Sequence, residues 1–493
     1  MIPAGARRFG SNGLKAALCG AALALCLAVV PGLSAADTSP MATAGSERPA
    51  RGAGAAAEGG VALSFDEALR LGRRAWVAGE VALSNRIARA LTEARPDDVP
   101  ALLMLSASEN ALGRPKRARA AARHAFAQSE SDAARFEASY LVASSAMAEN
   151  RYTAAQFWLR RAYNSAETDE DRETIAQAFG AVRRASPWSV RVSVDVAPSS
   201  NVNGGSQSPL LVIDDSPYVG ILSGAARALS GYEARLYGRL GYRLSETEQH
   251  RTDLTFRGYR SFVTLTDEAK EIAPRAEGSD FEYAFVEAGL RHRVAAPPGP
   301  LPDTYGVAVG RTWYGGEALD RFARLSFDRT LRLGRRTALS LGVEREARWS
   351  ESGRADRYGD EVHARLTHLM ESGWRVFAEV SAARIASEDP NQEYESYAVM
   401  SGFSMGEPVM GMHLSGHLRF SDRRYDSYAI GFIDVPGGRE DSDWTARLDM
   451  EIHPLDLMGF VPVVSLNARH STSNVSRFEG ESYGLSVGFS SAF

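Results

Sequence analysis

The chain has 493 residues, with 56 Lys and Arg against 61 Asp and Glu, a formal net charge of −5. So small an excess on so long a chain argues against a nucleic-acid partner, and the length allows two or three domains. Beyond the N-terminal run no stretch approaches the 18 apolar residues of a spanning helix, which excludes helical membrane bundles but not β-barrels, whose strands alternate apolar and polar residues.

Arg7, Arg8 and Lys15 precede the apolar run AALCGAALALCLAVV, followed by PGLSAAD with small residues at Ser34 and Ala36. This is the pattern of a secretory signal peptide over residues 1–36, cut before Asp37. The run is short for the alternative, a membrane anchor. Both cysteines, Cys19 and Cys26, fall inside it, and Leu25 is too large for a lipoprotein site at Cys26. The exported chain then has neither a disulfide framework nor a thiolate metal site. Residues 37–62, rich in Ala, Gly, Ser and Pro, read as a flexible linker.

From residue 63 to about 187 apolar residues recur at helical spacing, broken at ARPDDVP, ALGRPKR and AENRY. Gly79 and Gly113 lie 34 residues apart, and a third copy near Asn150 is shifted by three residues and lacks the glycine. The period resembles tetratricopeptide repeats, with a plain helical bundle as the alternative. Repeat stacks present a concave surface to protein segments, which makes Tyr140, Tyr152 and Trp158 candidate client contacts.

At Pro187 the period changes to two. In GYEARLYGRLGYRLS, Tyr232, Ala234, Leu236, Leu240, Tyr242 and Leu244 share one face, opposed by Glu233, Arg235, Tyr237, Arg239 and Arg243. Met410, Met412, Leu414, Leu418 and Phe420 oppose His413, Ser415, His417 and Arg419 in the same manner. About fourteen such segments fill residues 188–493, with twelve or sixteen also compatible, each with the roughly ten residues a tilted strand needs to cross a bilayer. Aromatic residues near strand ends (Tyr232, Trp313, Trp349, Trp374, Trp444) suit interfacial girdles. A soluble β-sandwich also alternates, but the second face here is rich in Arg, Glu, Asp and His, as a wet lumen would be. The expected fold is thus α + β and multidomain: an N-terminal α-helical tetratricopeptide-like domain, then a transmembrane antiparallel β-barrel. YGLSVGFSSAF reads as its closing strand, with Tyr483, Leu485, Val487, Phe489 and Phe493 as the aromatic-apolar face that assembly machinery reads.

No catalytic, cofactor or metal set emerges. Gly480–Gly484 matches G-x-S-x-G formally, but Ser482 enters an alternating strand rather than the strand-to-helix turn that the motif needs. His413 and His417 would be about 13 Å apart on a strand, too far to share a metal.

The segment APSSNVNGGSQSP after the first strand carries Pro198, Ser200, Asn201 and Asn203. Together with the order of parts and the closing segment NARHSTSNVSRFEGESYGLSVGFSSAF, it resembles the surface lipoprotein assembly modulator (Slam) family over about residues 63–493. Ser199 stands where an acidic residue is common in that family. The resemblance implies an outer-membrane translocator of the type XI secretion class in a Gram-negative bacterium. Its helical domain would lie in the periplasm, its client would be a surface lipoprotein or related secreted protein, and its partners would include periplasmic chaperones and the barrel assembly machinery. A polysaccharide-export barrel with helical repeats, or a passive porin, are the other readings.

Overall fold

The computed structural model describes residues 63–295, 303–455 and 460–492. The signal-peptide and linker expectations, and Phe493, lie outside the described residues. The chain divides between Ser186 and Pro187 into two compact units.

Among the described residues the first unit is seven helices: α1 Phe65–Val77, α2 Val81–Ala94, α3 Val99–Ala111, α4 Pro115–Gln128, α5 Asp132–Ala148, α6 Tyr152–Asn164 and α7 Asp169–Ala185. Their starts follow from local chemistry. Ser64 and Glu67 form a reciprocal capping box, Asp98 caps α3 with Pro100 in its first turn, and Thr168 caps α7. Helix α7 also carries Asp169, Glu170 and Asp171 in its first turn and Arg183 and Arg184 in its last, each set opposing the helix dipole. Consecutive helices pack as hairpins, and α3 also touches α1 and α5. The hairpin turns pass through left-handed backbone at Gly79, Gly113 and Asn150, with φ of 78°, 72° and 60°. The missing third glycine is thus replaced by asparagine, the side chain that best tolerates this region. Buried Phe136, Leu141, Leu159, Ile175 and Val182 fill the core.

The second unit is a closed barrel of fourteen antiparallel strands. They are β1 Trp188–Ser199, β2 Gly231–Glu246, β3 His250–Leu265, β4 Tyr283–Val294, β5 Asp303–Tyr314, β6 Glu317–Arg332 and β7 Thr337–Ser350, then β8 Arg357–Leu369, β9 Arg375–Ser387, β10 Tyr394–Ser404, β11 Met412–Tyr425, β12 Arg439–Ile452, β13 Phe460–Ser473 and β14 Gly480–Ala492. Each strand pairs with its neighbour in sequence, and β14 returns to β1. Met410 does not join β11. It sits in a turn with φ of 53°, ahead of Gly411 at φ 76°, so the strand starts two residues later than the alternation suggests.

Side-chain alternation sorts the barrel into two surfaces. Val194, Leu236, Phe256, Val286, Val309, Leu341, Val380, Val399, Leu418 and Leu466 are exposed on the outer wall. Such a continuous apolar surface would be a liability in water and is what a bilayer requires. Aromatic pairs mark the end bearing the short turns: Trp188 against Tyr242, Tyr305 against Phe327, and Trp374 against Phe403. Towards the other end Trp349, Tyr397, Trp444 and Tyr483 stand exposed on the same wall. Among the described residues no helix is long and apolar enough to cross a membrane. Crossing belongs to the strands.

Candidate functional site: the lumen, the seam and the loop that clasps it

The inner wall is a lattice of guanidinium–carboxylate contacts. Arg235 binds Asp195 across β1–β2 at 2.7 Å, and Asp253 accepts from Arg251 at 2.8 Å and from Arg293 at 2.7 Å. Glu287 is shared by Arg257 (2.7 Å) and Arg324 (3.1 Å), and Arg324 reaches Glu346 at 2.6 Å. Arg357 binds Asp320, Arg365 binds Glu379, and Arg439 and Arg447 bind Asp441 and Asp449. Charged pairs of this kind belong where water reaches them, because their partners could not be desolvated cheaply in lipid. The barrel therefore encloses a polar interior within an apolar wall.

His413 and His417 both face this interior. His413 Nε2 lies 2.8 Å from the Met405 carbonyl, and His417 stands opposite Arg447 in register. Ser482 lies within continuous strand β14, between Arg469 in register and the next residues of the alternation.

The seam where the cylinder closes differs from every other strand pair. β1 and β14 pair over six residues, Arg191–Val196 against Val487–Ala492. The other neighbours pair over ten (β10–β11) to fifteen (β2–β3) residues. Pairing stops where Pro198, which has no N–H to donate, enters β1. The strands stay adjacent there, since a β-carbon at Gly484 would lie 3.8 Å from the Pro198 carbonyl oxygen, but no ladder joins them. Within the paired part the approach is closer still. A β-carbon at Gly488 would fall 2.2 Å from the Val194 oxygen, so the seam closes only because that side chain is missing.

Above the short seam the β1–β2 loop, residues 200–230, replaces the missing pairing. Gln207 Nε2 donates to the Glu481 carbonyl of β14 at 2.5 Å. Val212 N donates to Ser476 Oγ (2.8 Å), and Ser476 Oγ in turn donates to the Leu210 carbonyl (2.9 Å). Ile213 bridges to Val475, and both are buried with Val435 from the β11–β12 connection. The loop thus straps the top of β14 and two neighbouring connections.

The asparagines of the sequence motif build this strap. Asn201 Nδ2 donates to the Gly205 carbonyl and its Oδ1 accepts from Gly205 N, at 2.8 and 2.9 Å. Asn203 Nδ2 donates to the carbonyls of Ala225 and Arg227, both at 2.8 Å, while its Oδ1 accepts from Leu229 N at 2.9 Å. One side chain therefore ties the outgoing limb of the loop to its return. Gly205 is required by the same approach, since a β-carbon there would lie 2.3 Å from the Arg227 oxygen. Pro198 sits at the seam, and Ser200 is exposed beside the strap.

Two of the three candidate client contacts need correction. Tyr140 is 2% exposed and Trp158 8%, both inside the helical core, so neither can offer its face to a client. Tyr152 is partly buried against the same core, its hydroxyl donating to Asn150. Phe126 and Phe157 are partly buried against that core in the same way, with the Arg161 guanidinium 5.2 Å from the Phe126 ring centre and 5.0 Å from that of Phe157. On β14, Tyr483, Leu485, Val487 and Phe489 lie on the exposed outer wall as one row.

No family model matches the chain, and no curated protein matches it. Among solved structures it is similar to OccAB3 of Acinetobacter baumannii (8% identity, 62% of this chain and 99% of that one, TM-score 0.35). It is also similar to an anion-selective porin from Comamonas acidovorans (12% identity, 62% and 98%, TM-score 0.32). A third is CdiB from Acinetobacter baumannii (10% identity, 61% and 60%, TM-score 0.33).

Proposed function

We propose that this chain is an outer-membrane translocator that delivers a client protein, such as a surface lipoprotein, to the cell exterior. The observation that carries the reading is the six-residue seam between β1 and β14, strapped by its own loop, in a barrel whose chain also carries a separate helical unit. A barrel that only passes small solutes needs neither a short seam nor a second unit. β1 begins at the end with the short turns, which outer-membrane barrels direct to the periplasm, so the helical residues before it belong on that side. There they would receive the client before folding, with Phe126, Tyr152, Phe157 and Arg161 as a half-buried aromatic and cationic face. The periplasm supplies no nucleotide, so folding of the client outside would make its return unfavourable.

Deletion of the gene, followed by protease shaving of intact cells, tests this. Loss of surface exposure of a client with its cellular level unchanged supports delivery. Unchanged exposure of every surface lipoprotein overturns it. Loss of capsule or of small-solute uptake instead would assign the barrel to polysaccharide export or to a porin.

A further inference from the structure

One stretch of the inner wall sets three guanidinium groups in one row across neighbouring strands. Arg191 on β1 stands directly opposite Arg239 on β2, and Arg239 stands directly opposite Arg257 on β3. All three alternate with outward residues such as Val192, Leu240 and Phe256, so all three face inward. Directly opposed residues on neighbouring strands have β-carbons about 4.5–5.5 Å apart, and like charges in that relation destabilise a sheet.

Two of the three charges are not cancelled locally, while Arg257 is held by both oxygens of Glu287. Among the described residues neither Arg191 nor Arg239 has a carboxylate within ion-pair distance, and Arg257 holds Glu287 only jointly with Arg324. The rungs on either side are neutral. Above the row lie Ser193, Tyr237 and Tyr259, and below it Ser189, Gly241 and Thr255. Asp195, the nearest acid on β1, is taken by Arg235. Gly241 leaves its rung open, and the Ser189 hydroxyl occupies the place of its missing side chain, 2.5 Å from where a β-carbon would stand.

We infer that this row is a binding site for a small oxyanion of the phosphate class. Guanidinium forks match the oxygens of a phosphate and bind them in parallel pairs. The two unpaired forks of Arg191 and Arg239, with Arg257 beside them and hydroxyl donors at the fringe, can share one such anion. The anion removes the repulsion that the bare row carries. The inward aspect of the row separates it from lipid headgroups, so the ligand arrives through the aqueous interior. The inference stands on the barrel wall alone and does not depend on the client-delivery reading.

The test uses the full-length protein folded in detergent, with its unfolding temperature measured in chloride and in inorganic phosphate at matched ionic strength and pH. Phosphate should raise the midpoint by several degrees in the natural chain. Arg239→Gln should abolish that rise and should raise the midpoint in chloride, because it breaks the like-charge row. Arg191→Gln should behave the same way and serves if Arg239→Gln does not fold. Arg419→Gln is the control. Arg419 also lacks an ion pair among the described residues, but it faces Met400 and Thr445 rather than another cation, so the phosphate response should persist. No phosphate-specific rise in the natural chain, or an equal rise in Arg239→Gln, overturns the site.

Discussion

Asn203 joins two parts of the β1–β2 loop that are 22 to 26 residues apart, through two donated bonds and one accepted one. Its replacement by Ala leaves two carbonyls and one N–H to find water or go unpaired, at a cost of about 1–3 kcal/mol. Asn203→Ala should therefore leave the barrel folded but open the loop to protease on intact cells, with cleavage mapped between residues 203 and 229. Resistance equal to that of the natural chain would deny the asparagine its role as a staple. Part of this was legible in the sequence. The clustered Asn, Gly and Ser of NVNGGS announce a tight irregular loop, but the residues they hold lie too far along the chain for spacing to reveal. The aromatic candidates misled for a different reason. Tyr140 and Trp158 carry large apolar bodies with one polar atom, which suits a helical core as well as a binding face, and only packing decides between them.

Among the helices, Glu109 shows how the hairpins are fastened to one another. It lies at the end of α3, almost wholly buried, with Arg89 of α2 bonded to it and Arg114 3.5 Å away. Burial pushes its carboxyl up, but the hydrogen bonds from Arg89 and Asn85 and the charges of Arg89 and Arg114 outweigh that and hold it below the usual carboxylate range. A depressed folded value contributes stability above the unfolded carboxylate pKa of about 4.3, and that contribution fades as pH falls through the folded value. Glu109→Gln should thus cost about 1.5–3 kcal/mol at pH 7 and clearly less at pH 3. Urea titration of the helical signal in the full chain measures it, and an equal loss at both pH values would contradict the assignment. The strands were the more legible elements. Fourteen alternating segments correspond one to one with fourteen strands, because each side chain must choose between lipid and lumen. What alternation could not disclose is the pairing of the first strand with the last, or the register between neighbours, so neither the short seam nor the Arg191–Arg239–Arg257 row could be read in advance. Arg235, Arg239 and Arg243 were visible on one face of β2, but not what stands across from them.

For the barrel as a whole, the seam offers a lock. Val196 and Val487 are opposed in register on the outer wall, at the last pair before β1 and β14 part. Cysteines at both positions meet the distance a disulfide needs between paired strands. On the proposed delivery role, with the seam as the exit, oxidised Val196→Cys/Val487→Cys protein should keep the heat-dependent gel mobility of a folded barrel yet fail to display a client, and reduction should restore display. Undiminished display from the oxidised chain would mean that clients do not leave through this seam. The same pair has a further meaning for how the molecule comes to exist. Its two residues are about 290 positions apart in sequence, whereas hairpin partners such as Arg251 and Glu246 are five apart. Bringing ends together over a loop that long costs roughly 3–4 kcal/mol more than over a tight turn, and here the fewest paired residues repay it. Closing the cylinder is thus the contact of highest order and least reward, so a chain with all its hairpins formed still presents two open edges, and the slowest event in its assembly is the meeting of β1 with β14.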